Sequence, residues 1–311
     1  MKSLCYCNYS KLTFSLLLVL VISIPFSSSA LELNKHYIES AGHQLVVWSK
    51  QPSGKDKPGK HILLLHGRTW SALPDFDLQV PGESLSLMDN LVAKGFKVWA
   101  LDARGYGATS RDETGWNNPN KAAKDVANVV RWIERNSGIK PTIFGWSYGS
   151  MVAQLAVQQN KELVKGVILF GYPIDPEKVI EPIRSPAVAP TKANTAENAA
   201  SDFITPGTIS QQAIDTYVKE SLAADPFRAD WNKLEQWNQL DATEVHVPVL
   251  LLQAEYDPLA DTDSHARFFK KLPNANKQWV VLSNSDHAAL LETAKDRLVY
   301  SVNSFVEWLS H

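Results

Sequence analysis

Ile143-Phe144-Gly145-Trp146-Ser147-Tyr148-Gly149 lies between an apolar run of strand character and a helix-like run over 148–159, and its reading decides the fold. A serine held in a sparsely populated backbone conformation needs neighbours without side chains, so that strand and helix can pass close to one another. Gly145 and Gly149 supply that clearance in a G-x-S-x-G pattern, which reads as a nucleophile elbow. Such a turn lifts the serine hydroxyl off the sheet end and aims the first N–H groups of the following helix at whatever the hydroxyl attacks. Ala153 and Ala156 would let that helix lie close to the sheet.

Working outward, residues 61–65, 97–101, 141–144 and 164–170 read as buried-type strands of mainly apolar residues. Helical patterns separate them, over 83–94 ending at Gly95 and over 120–135 ending at Gly138. Strands apolar throughout and alternating with helices predict a mostly parallel sheet covered on both faces. A hairpin around Gly42 is expected over 36–50, and sheet runs resume at 247–253 and 277–282 before a closing amphipathic helix over 293–309. Between the two groups, residues 173–207 are rich in Pro, Ala, Thr and Asn. Residues 210–237 read as two helices broken at Asp225-Pro226. This gives an α/β core over 31–172 and 241–311 with a helical cap inserted over 173–240.

At the N-terminus, Lys2 and Lys11 precede an apolar run over 12–24 and a small-residue stretch Ser27-Ser28-Ser29-Ala30. The run is shorter than the roughly 20 residues a spanning helix needs, so residues 1–30 read as a secretory signal peptide cleaved after Ala30. Export to the periplasm or beyond the cell is the expectation, with no stable membrane span after processing. Cleavage removes Cys5 and Cys7, the only 2 cysteines, so the mature chain has no disulfide to stabilise it. The formal charge of −2 becomes −4 on losing the two lysines, which excludes nucleic acid as the expected partner. No metal-ligand spacing and no cofactor fingerprint is present: Gly105 and Gly107 lack the third glycine of a dinucleotide loop, and His61 stands where a phosphate loop needs Ser or Thr.

Several motifs, in order, resemble the α/β-hydrolase superfamily in its serine-esterase-like branch: His66-Gly67, Asp102-x-Arg104-Gly105-x-Gly107, the elbow at Ser147, Asp257 after a late strand, and Asp286-His287 after the last. A serine hydroxyl is a poor nucleophile at neutral pH and needs a base and an orienting carboxylate. His287 is the expected base and Asp257 the expected acid, with Asp261, Asp263 and Asp175 as rivals. The resemblance assigns the oxyanion donors to the backbone N–H groups of Arg68 and Tyr148. The Arg68 side chain itself is open between holding a substrate carboxylate and being solvated or paired with the cap. His66, Asp102 and Arg104 read as braces of their loops. Trp70, Phe76 and Trp146, with Tyr148, suggest an apolar substrate pocket. The activity implied is cleavage of a carboxylic ester through an acyl-enzyme. An aminopeptidase or amidase of the same fold is the alternative, and a catalytically silent binding protein is the reading from another class. The partner is then a small-molecule ester or amide.

Overall fold

The computed structural model describes Met1, Leu4 and residues 31–54 and 58–310; the signal-peptide expectation otherwise lies outside the described residues. The chain opens with β1 (Asn34–Ser40) and β2 (His43–Lys50), an antiparallel hairpin turning at Ala41-Gly42. There follow β3 (Lys60–Leu65), the short α1 (Ala72–Phe76), α2 (Leu87–Ala93), β4 (Phe96–Asp102), the two-residue β5 (Trp116–Asn117) and α3 (Pro119–Ser137). Next come β6 (Thr142–Trp146), α4 (Tyr148–Gln159), β7 (Val167–Phe170), α5 (Ala196–Ala200), α6 (Gln211–Ala224) and β8 (Asp230–Trp231). Two 3-10 turns, Leu234–Gln239 and Ala242–Glu244, lead to β9 (Val249–Ala254), α7 (Thr262–Lys271), β10 (Lys277–Leu282) and α8 (Lys295–Trp308).

Eight strands form one sheet in the order β1-β2-β4-β3-β6-β7-β9-β10, antiparallel at β1/β2 and β2/β4 and parallel elsewhere. The unbroken apolar runs have a direct cause. Successive side chains of a strand point to opposite faces, and here both faces are covered. Leu63 and Leu65 join the core under α3 and α4, whereas Ile62 and Leu64 join the core that also holds residues of α2 and α8. Ile143 and Phe144 divide between the same two layers. The chemistry-bearing loops follow the carboxyl ends of β3, β6, β9 and β10, where a parallel sheet collects its sites.

Two helix expectations are corrected. The helix expected over 83–94 begins only at Leu87, because Ser86 caps it by accepting the Asp89 N–H at 2.9 Å, and the Glu83 N–H turns back to Val80 O at 3.0 Å. The second cap helix does not form. After Pro226 the backbone is committed elsewhere: Asn194 donates to Pro226 O at 3.0 Å, Arg228 donates to Lys192 O at 2.8 Å, and β8 pairs with β5. The stretch between β7 and β9 therefore holds two helices, α5 and α6, with the remainder pinned as extended chain and 3-10 turn.

Candidate active site

Ser147 joins β6 to α4 at φ 53°, ψ −119°, a conformation L-residues rarely adopt. It is held there by its own N–H, which donates to Phe170 O at 2.9 Å. The flanking glycines are dictated by contact. A Cβ on Gly145 would lie 2.3 Å from Gly149 O, and one on Gly149 would lie 2.2 Å from Leu65 O. No side chain fits at either position, because what it would meet is backbone. Ala153 and Ala156 are fully buried against the sheet.

His287 follows β10, and its Nδ1 lies 2.8 Å from Asp257 Oδ2, with the carboxylate fully shielded and the imidazole only 8% exposed. A carboxylate can only accept, so Nδ1 carries the proton and Nε2 is the free acceptor of the neutral ring. The imidazole is further placed by Trp146, whose indole Nε1 donates to His287 O at 2.8 Å. Gly171, at the end of β7, lies beside it: a Cβ there would come 3.0 Å from His287 Cε1 and 3.3 Å from Asp257 Oδ2. The rival acids are engaged elsewhere. Asp261 caps α7 by accepting the Ser264 N–H at 2.9 Å, Asp263 lies in the first turn of that helix, and Asp175 pairs with Arg267 at 2.8 Å.

Ser147 and His287 line one cleft of about 280 Å³ with Arg68, Trp70, Trp146 and Tyr148. Phe76, expected in the pocket, is not part of its wall. It is fully buried with its ring edge-on to Phe144 at 6.2 Å, because α1 turns it down onto the sheet. Arg68 arches over Tyr148: its Nη1 donates to the Tyr148 hydroxyl at 3.1 Å and the guanidinium carbon sits 5.2 Å from the ring centroid. Tyr148 in turn packs edge-on against Trp231 and Trp237.

Two wall residues carry no signal in the sequence, Asp75 at the end of α1 and Asp202 just after α5. The Tyr217 hydroxyl lies 3.0 Å from Asp75 Oδ1 and 3.2 Å from Asp202 Oδ2. A phenol has a single proton to donate, so a second carboxyl at hydrogen-bond distance must itself bring one. Burial acts in the same direction. It raises Asp75 well above its ordinary range, with the neighbouring Asp202 adding to the effect. It also carries Asp202 to about 6, against the opposing influence of His287, Tyr217 and Trp70.

The expected braces are engaged with their loops. His66 donates from Nδ1 to Gly67 O at 2.8 Å and accepts the Ala103 N–H at Nε2, while burial lowers its pKa to about 4 and keeps it neutral. Asp102 accepts the Trp48 indole and the Ala72 and Ala108 amides. Arg104 grips Asp125 through Nε and Nη2. Asp286 receives the Ile204 and Thr205 amides and so ties the insertion to the loop that carries His287. Among the described residues no group of His, Cys, Asp and Glu could hold a metal ion, and no helix is long and apolar enough to cross a membrane.

A family model described as serine aminopeptidase, S33, matches residues 56–294. None of the curated proteins matches. Among solved structures, the chain is similar to a serine hydrolase involved in carbazole degradation (15% identity, TM-score 0.64, covering 89% of this chain and 100% of that one). It is also similar to the esterase domain of a Rhodothermus marinus protein (19%, 0.57, 89% and 98%) and to a bacterial membrane phospholipase A (16%, 0.61, 90% and 87%). At these identities the likeness is one of fold, and it agrees with the strand order above.

Proposed function

The chain belongs to the serine aminopeptidase S33 family and is a hydrolase of the α/β fold, and from that premise we propose an exported serine hydrolase that cleaves carboxylic esters through an acyl-enzyme on Ser147. The observation that carries the reading is the 2.8 Å contact of His287 Nδ1 with Asp257, which leaves Nε2 free in the same cleft as a serine at φ 53°. In this mechanism Nε2 takes the Ser147 proton as Oγ attacks the acyl carbon, then returns it to the leaving alkoxide. Water repeats the sequence to release the acid. Asp257 fixes the tautomer and stabilises the imidazolium. The developing oxyanion is held by the N–H of Tyr148, which as the first residue of α4 has no acceptor within the helix, and by the N–H of Arg68. Preorganised donors of this kind each contribute about 3–4 kcal/mol. Export is supported by the signal-peptide pattern of residues 1–30.

The family description favours cleavage of an aminoacyl amide as the second reading. Both are tested by treating the mature protein and its Ser147→Ala variant with a fluorophosphonate, then assaying acyl esters of graded length beside aminoacyl amides. Labelling and ester turnover that disappear in the variant are expected. Turnover confined to the amides selects the aminopeptidase. A folded wild type that does not label leaves the silent binding protein as the better account.

A further inference from the structure

Arg68 is a cation without a counter-ion. Among the described residues it forms no ion pair, whereas Arg104, Arg111 and Arg267 each reach a carboxylate at 2.6–2.8 Å. Its Nε is shut off from solvent and meets no acceptor, and Tyr148 takes only one N–H of the fork. A buried donor left unmade costs about 1–3 kcal/mol, more on a charged group. This arginine lines the cleft beside Ser147 and His287.

The acids across the cleft form no ion pair with Arg68. Asp75 and Asp202 are both turned to the Tyr217 hydroxyl. Asp257 is turned to His287 and to the Leu259 amide. The cleft therefore presents a planar guanidinium, engaged by a single hydrogen bond to Tyr148, next to the nucleophile. A carboxylate satisfies such a fork through two parallel hydrogen bonds.

We propose that the Arg68 side chain binds a carboxylate of the substrate, so that the site takes short half-esters, acyl compounds with a free carboxylate a few bonds from the scissile carbonyl. The spacing follows from Gly67, the preceding residue, where a Cβ would lie 3.5 Å from the Ser147 Cβ. This rests on Ser147 marking the acyl site, but not on the serine being chemically competent.

The experiment uses that independence. Mature Ser147→Ala protein, checked for folding by thermal unfolding, is titrated calorimetrically with methyl hydrogen glutarate and with dimethyl glutarate. The pair of titrations is repeated after adding Arg68→Gln or Arg68→Lys. The half-ester is expected to bind at least tenfold more tightly than the diester. That advantage should vanish with Gln, which is polar but carries no charge, survive in part with Lys, and shrink as salt is raised. Equal affinities, a tighter diester, no measurable half-ester binding at millimolar concentration, or an advantage that persists with Gln each overturn the proposal. Failure of fluorophosphonate to label the wild type would instead strike the serine mechanism and leave the titration result intact.

Discussion

Replacing Asp202 by asparagine is expected to stabilise the protein at alkaline pH and to do nothing of the kind in acid. The carboxyl is forced toward its neutral form by burial, to about 6 from an ordinary 3.8. A carboxyl whose folded pKa is raised binds more protons in the folded than in the unfolded state, so stability falls as pH climbs between the two values and the full penalty is present above the upper one. At about 1.4 kcal/mol per pH unit the gap is worth about 3 kcal/mol as an upper limit. Asparagine is permanently neutral and can keep the contact with Tyr217, donating to the phenol oxygen while the phenol proton goes to Asp75. Urea unfolding of wild type and Asp202→Asn at pH 8 and at pH 4 gives the test. A gain of about 2–3 kcal/mol at pH 8 that is absent at pH 4 is expected. A variant equally shifted at both values, or destabilised at pH 8, would show that folding does not disfavour the Asp202 anion and would refute the reasoning from burial.

Asp257→Asn should lower kcat about 10³–10⁴-fold by favouring the wrong imidazole tautomer, whereas Asp175→Asn, which removes a surface partner of Arg267, should leave kcat within a factor of two; steady-state turnover of one ester separates them. Gly149→Ala places a Cβ against the Leu65 carbonyl and should cost about 3 kcal/mol or more, read as a lowered Tm or loss of soluble protein; an unchanged Tm contradicts the close approach. Phe76→Leu should cost about 1 kcal/mol without altering the ranking of acyl esters, while Trp70→Leu, at the cleft wall, should reorder it.

The elbow, the sheet and the His287–Asp257 pair were legible in the sequence because each obeys a local rule. A strand buried on both faces is apolar at every position, a serine at φ 53° needs glycine on both sides, and a charged group after a late strand has a cleft beside it. Asp75 and Asp202 obey no such rule. One lies on a helix of a single turn, the other in a polar stretch without periodicity, and only Tyr217, reaching from α6, brings them together. Phe76 misled for a related reason: its nearness in sequence to Trp70 says nothing about which way a five-residue helix turns it. The second cap helix failed because residues 226–232 form their hydrogen bonds with distant strands and loops, which outweigh local helical spacing, and only a 3-10 turn follows.

Those same polar contacts bear on how the cleft works. Asp225, at the end of α6, accepts the Ser71 and Gly107 amides, each at 2.8 Å; Asp286 accepts the Ile204 and Thr205 amides; and Tyr217 reaches Asp75. The insertion is thus bonded to the loop after β3, to the loop after β4 and to the loop that carries His287. Lifting it would orphan these buried groups together, at about 1–3 kcal/mol apiece. A lid that opened on every turnover would have to meet that cost each time. A cleft built this way is open at rest, with entry past Leu259, which lines it and is 56% exposed. Its wall is then set by fixed side chains, Arg68, Trp70, Asp75 and Asp202 among them, rather than by closure of the insertion.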